Sequence, residues 1–292
     1  MRLSTRSPRH AGLAQRRGAR AFILATLLCA CPWLGAQTAP AVSVAVLQVA
    51  AQLANGRGQH GLAVDLLRRV LDERSRELGA DHPGLLPSVM NLAMGLSNRG
   101  QLAEAQLLFD RAERLAQRNP SDIDRARLLT YLAAHAAQSG QAAGVALAAA
   151  SRAVQAWRDV LELALSTTQD LQLADGAPAD MNALRGELAM ALNMEAAMAR
   201  RANDLLMAWA SARQAQALLS GTPGLPVAWR ADVMVTLGRI SAAQGRLAAA
   251  EVHLRSAIEL RSRLLGDGPA LAQAWLALAA AYQTEAMNAA AR

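Results

Sequence analysis

Asn91, Met94 and Asn98 stand three and four residues apart, the spacing that sets side chains on one face of a helix. Farther along, Arg127, Asn193, Arg200, Arg201 and Arg239 add one amide and four guanidinium groups. An amide offers a paired donor and acceptor to a peptide main chain, a guanidinium grips a carboxylate in a fork, and a thioether adapts to apolar side chains. Such a set suits an extended, somewhat acidic peptide. Met90 competes with Asn91 for its place in the column, and Tyr131, Ala197 and Asp232 are further candidates for the same surface.

Catalytic and metal chemistry find no comparable support. His10, His60, His82, His135 and His253 share no short spacing with one another or with cysteine. There is no G-x-S-x-G, no phosphate-cradling glycine loop and no H-E-x-x-H. The adjacent acids Asp72 and Glu73, and the pair Asp122 and Asp124, fall near helix ends, where negative charge complements the helix dipole. The expectation is a chain that is not an enzyme and has no cofactor and no metal.

The first 36 residues read as a secretory leader. A segment with six arginines and no acid, MRLSTRSPRHAGLAQRRGAR, runs into the apolar AFILATLLCACPWLGA, with cleavage expected after Ala36. All 30 basic residues of the chain are arginine; removing the leader leaves 24 against 23 acids, so the high isoelectric point reflects targeting and argues against a nucleic-acid partner. Both cysteines, Cys29 and Cys31, lie within the apolar stretch. Leu28-Cys29-Ala30-Cys31 loosely resembles a lipobox, in which case Cys31 would carry lipid and tether the chain to a membrane. The expected location is periplasmic or secreted.

The candidate side chains need a scaffold, and the sequence encodes one by repetition. Gly58 and Gly100 stand 42 residues apart, each followed five residues later by alanine, Ala63 and Ala105; Gly245 and Ala250 repeat the device. Glycine takes the left-handed conformation that ends a helix, so Asn55-Gly56, Arg99-Gly100, Ser139-Gly140 and Gln244-Gly245 mark where the first helix of a pair stops. The alanine then lets the second helix cross the first closely. Helix pairs are expected at 41–55 with 60–77 and at 84–98 with 102–117.

Several copies carry a recognisable signature: Trp275, Leu278, Ala279 and Tyr282 in the last; Leu92, Ala93, Leu96, Gly100, Ala105, Phe109 and Ala112 in the second; Leu237, Gly238, Gly245, Ala250, Leu254 and Ala257 in the fifth. This pattern resembles tetratricopeptide repeats, and the 42-residue spacing with the loops LGADHP and LGDGP resembles the kinesin-light-chain-like subclass. The resemblance implies an all-α fold, an α-solenoid forming a right-handed superhelix of antiparallel helix pairs. It divides the chain into repeats at about 41–83, 84–120, 121–179 (with an insertion near 165–180), 180–222 and 223–269, then a terminal helix at 270–287. It also implies that first helices line a concave groove, which is where the eight candidate residues belong.

The copies also depart from the pattern. Asn203 replaces the turn glycine of repeat four, and Glu195 stands where leucine is expected; either the register shifts there, or a buried carboxylate needs an arginine such as Arg200 or Arg201. After Tyr282 only ten residues remain, too few for a second helix, so the expectation is that the Trp275 helix acts as the terminal lid or that its partner helix is missing; the mildly polar end leaves room for self-association or a truncated reading of the gene. The family's acidic-tail clamp relies on lysine, which the chain lacks, and Gln48 and Gln52 occupy its first-repeat slots. The functional expectation is an exported scaffold binding a peptide or protein in the groove. The rival expectations are the docking half of a larger effector with a peptidase-like domain, and a lipid-anchored envelope assembly factor.

Overall fold

The computed structural model describes residues 43–118, 121–166, 180–265 and 268–290. The expected leader with both cysteines, and residues 167–179 of the expected insertion, lie outside them. Among the described residues there are eleven α-helices, one 3-10 turn and no strand. Five antiparallel hairpins follow one another: α1 (Val44–Gly56) with α2 (His60–Leu78), α3 (Leu86–Asn98) with α4 (Leu102–Arg118), α5 (Asp122–Gln138) with α6 (Ala143–Ser166), α7 (Met181–Arg201) with α8 (Leu205–Gly221), and α9 (Val227–Ala243) with α10 (Leu247–Leu265). A single helix, α11 (Pro269–Ala290), comes last.

Helix ends are set by local chemistry. Gly58, Gly100, Gly140, Gly245 and Asn203 all have positive φ, between 63° and 82°. In four of these turns two backbone bonds close the helix, as when Gly100 N–H donates to the Ser97 carbonyl and Gln101 N–H to that of Leu96. Gly56 lies inside α1, so Gly58 is the residue that needs the left-handed conformation. At the other end, the side chains of Ser43, Ser121, Asp180 and Asp204 accept from backbone N–H groups at the starts of α1, α5, α7 and α8. In LGADHP, His82 Nδ1 accepts from Gly84 N–H at 3.0 Å and shapes the 3-10 turn Pro83–Leu85 that leads into α3.

Close crossing then holds each pair. Ala63, Ala105, Ala208 and Ala250, each five residues after its turn, have no solvent exposure. Hairpin three has one more residue in its turn, so Val145 at that offset is exposed and Ala146 takes the buried place. Gly238 approaches Leu254 so closely that any side-chain carbon there would collide with it. Phe109, Trp157 and Leu254 fill the space beside the crossings, and Trp157 Nε1 donates to Thr130 Oγ1 at 2.9 Å.

The apolar residues form a succession of clusters, each shared by neighbouring hairpins. This is the pattern of a solenoid, in which a hairpin covers its apolar side only by leaning on the next. Helices α3, α5, α7, α9 and α11 touch one another in sequence, while the second helices show no comparable contacts among the described residues. The stack therefore curves with first helices on the inside.

Glu195 keeps the helical register and is buried, accepting from Ser151 Oγ of α6 and Ser211 Oγ of α8, each at 2.7 Å. The expected arginine partner is not used; two hydroxyls from the flanking helices satisfy the carboxylate. No described helix is long and apolar enough to cross a membrane. If the crossings control hairpin packing, Ala105→Leu is expected to lower unfolding free energy by about 1–3 kcal/mol in urea denaturation, whereas Leu107→Ala at an exposed site of the same helix has little effect.

Candidate partner-binding groove

The candidate residues all lie on first helices, and the structure divides them into distinct groups. Near the first hairpins, Asn91 and Met94 of α3 join Gln48, Gln52 and Asn55 of α1 and Tyr131 of α5 around a depression of 140 Å³. Tyr131 O–H donates to Asn91 Oδ1 at 3.3 Å, leaving the Asn91 amide nitrogen as a donor. Burial raises the Tyr131 phenol above its ordinary value; Arg127 opposes this and Glu187 adds to it. Met90 is fully buried, so Asn91 holds the groove position.

A second depression, of 350 Å³, lies between α7, α9 and α11. Arg200 and Arg239 stand over a floor that includes Ala242, Leu276, Ala280 and Thr284. Desolvation, then the charges of Arg239 and Arg201, lowers Arg200 from the usual guanidinium value. Desolvation, then Arg261, does the same to Arg239. Neither side chain has an ion-pair partner among the described residues. Two crowded cations above an apolar floor have the chemistry to hold an anion with an apolar neighbour.

The remaining candidates hold the wall itself. Arg127 lies 3.6 Å from Asp124 and 3.5 Å from Glu187, linking α5 to α7. Arg201 donates to the carbonyl of Ala137 in the last turn of α5 at 3.1 Å, a capping role. Asn193 is half-buried, and its Oδ1 is buried without a hydrogen-bond partner. Asp232 pairs with buried Arg261 at 2.5 Å, and burial raises its carboxyl above the ordinary value although Arg261 pulls it down.

Asn98 belongs to a polar chain between α3 and α5. Gln138 Nε2 donates to Asn98 Oδ1 at 2.9 Å, Ser97 O–H donates to Gln138 Oε1, and His135 Nδ1 lies 2.9 Å from Ser97 Oγ. Every partner is satisfied if neutral His135 donates through Nδ1–H. His135 is buried against Phe109, and burial lowers its pKa. The sequence did not reveal this role, because Ser97, His135 and Gln138 meet only when two hairpins stack. Among the described residues, no group of histidines, cysteines and acids is arranged to hold a metal ion.

Residues 45–84 and 230–270 match the model of the tetratricopeptide repeat. Among solved structures, the chain is similar to BtubC (BKLC) from P. vanneervenii, with 21% identity over 77% of this chain and 84% of that one and a TM-score of 0.49. It is similar to a putative kinesin light chain with nearly identical TPR-like repeats from Podosopora anserina, with 20% identity over 77% of this chain and 97% of that one and a TM-score of 0.42. A single-substitution form of the latter gives 20% identity over 75% and 95%, with a TM-score of 0.43. Comparison with curated proteins finds no match.

Because the folded His135 value is lowered, the stability this residue contributes is complete above the unfolded value of about 6.5 and is lost as pH falls through the lowered folded value. The melting temperature is therefore expected to drop as pH falls from about 7 to about 5, and to drop less steeply in His135→Gln. His253, also lowered by burial, supplies part of the slope that remains.

Proposed function

We propose that this tetratricopeptide-repeat protein, with its kinesin-light-chain-like 42-residue spacing, is an exported scaffold that holds an extended acidic segment of a partner protein in its groove. Tetratricopeptide repeats are typically non-catalytic scaffolds for protein partners, and the arrangement of side chains gives that general role a particular chemistry. The observation that carries the reading is the pair Arg200 and Arg239, two guanidiniums without an ion-pair partner among the described residues, above an apolar floor. A carboxylate bound between them relieves their mutual repulsion. The Asn91 amide and the Gln48 and Gln52 side chains provide main-chain contacts at the other group.

The leader-like first 36 residues, with a cut expected after Ala36, support export. Mass spectrometry of the N-terminus tests this directly: a chain beginning at Gln37 agrees with secretion, and a lipidated Cys31 replaces it with membrane anchoring.

The groove is tested with a fluorescein-labelled peptide of alternating Leu-Glu-Asp units, followed by fluorescence anisotropy. Arg200→Ala with Arg239→Ala is expected to weaken binding by about tenfold or more, with unchanged helicity, since a charge-assisted hydrogen bond contributes about 1.5–3 kcal/mol. A double variant that binds as tightly as its parent rules out the arginine pair as the docking point.

A further inference from the structure

Gly58, at the turn after α1, lies against Pro269, the first residue of α11. A β-carbon placed on Gly58 would sit 2.8 Å from Pro269 Cγ and 3.8 Å from Pro269 Cβ. A β-carbon placed on the turn residues Gly100, Gly140 and Gly245 meets nothing within 4 Å. The first hairpin turn is thus packed against a residue from the far end of the described chain, whereas three equivalent turns are open.

Both partners are held in place. Asn55 Oδ1 and His60 Nδ1, 3.0 Å apart, brace the Gly58 turn. On the other side, buried Arg261 pairs with Asp232 of α9 and donates to the carbonyl of Ala270, fixing the corner from which α11 departs. Pro269 therefore reaches Gly58 from a pinned corner. Gly58 needs its positive φ for the turn, and it also needs to lack a side chain for this contact.

We infer that the two ends of the inner wall meet at Gly58 and Pro269, so that the solenoid closes on itself and the groove is entered either by an extended segment or after this clasp opens. α1 and α11 are both first helices, so the C-terminal end of one inner-wall helix abuts the N-terminal end of another. The consequence for the partner rests on the proposed peptide-binding groove; the closure itself does not. A closed wall selects an extended chain over a folded domain.

The first test uses Gly58→Cys with Pro269→Cys in a full chain whose Cys29 and Cys31 are replaced by serine. A Cβ separation of 3.8 Å matches a disulfide, so mild oxidation is expected to link most chains internally, with no change in radius of gyration by small-angle scattering. Absence of an intramolecular link, or contraction on linking, overturns closure.

The second test compares Gly58→Asn with Gly100→Asn. Asparagine already occupies the left-handed turn position at Asn203, so both variants keep a permitted turn conformation. Only the substitution at 58 meets a neighbour. Gly58→Asn is expected to enlarge the radius of gyration and to speed association of the Leu-Glu-Asp peptide, whereas Gly100→Asn leaves both unchanged. Equal dimensions for the two variants overturn closure. A peptide that binds no form of the protein removes the groove reading, while the crosslink and the scattering still decide whether the ends meet.

Discussion

The structure depends on how closely two helices of a hairpin can approach. Five alanines, Ala63, Ala105, Ala146, Ala208 and Ala250, occupy the crossings with no exposure, and each follows a turn whose residue has positive φ. The turn sets the direction of the second helix, and the small side chain lets it lie against the first. A hairpin made this way is thin and cannot cover its own apolar side. Stacking follows from that deficit, and so does the curve that puts α3, α5, α7, α9 and α11 on the inner wall.

Apolar stacking alone would tolerate sliding of one hairpin along the next, because alanine and leucine faces are nearly uniform. Polar groups buried between hairpins restrict that freedom. Glu195 needs hydroxyls from both α6 and α8; His135 needs Ser97; Arg261 needs Asp232 and the Ala270 carbonyl. A slip of one residue would strand a buried carboxylate or guanidinium, at a cost larger than the loss of a methyl contact. The inner wall that presents Arg200 and Arg239 is thereby held in register.

The turn residues and crossing alanines were legible in the sequence because their conformations are decided within about six residues. The helix bounds followed closely from them. Hairpin three was harder, since one extra turn residue moved the buried alanine from the regular offset to Ala146. Glu195 was read against the leucine pattern, and its serine partners lie 44 and 16 residues away. The candidate residues could be placed on first helices from the sequence, but the division among them could not. Arg127, Arg201 and Arg239 look alike in sequence, yet the first is paired with two acids, the second caps a neighbouring helix, and the third has no ion-pair partner among the described residues.

That division has a physical reason. An arginine on a first helix can reach the helix before it, the helix after it, or the groove, and which it reaches depends on whether an acceptor waits on either side. Arg127 finds Glu187 one hairpin on, and Arg201 finds an unsatisfied carbonyl at the end of α5. The one acid of α9, Asp232, is already held by Arg261. Positive charge is left over at this end of the wall although residues 37–292, with 24 arginines against 23 acids, are close to neutral. The excess is a local product of pairing, and it falls where Leu276 and the alanines of α9 and α11 supply an apolar floor. Unpaired guanidiniums remain in this solenoid where the described scaffold offers them no acid.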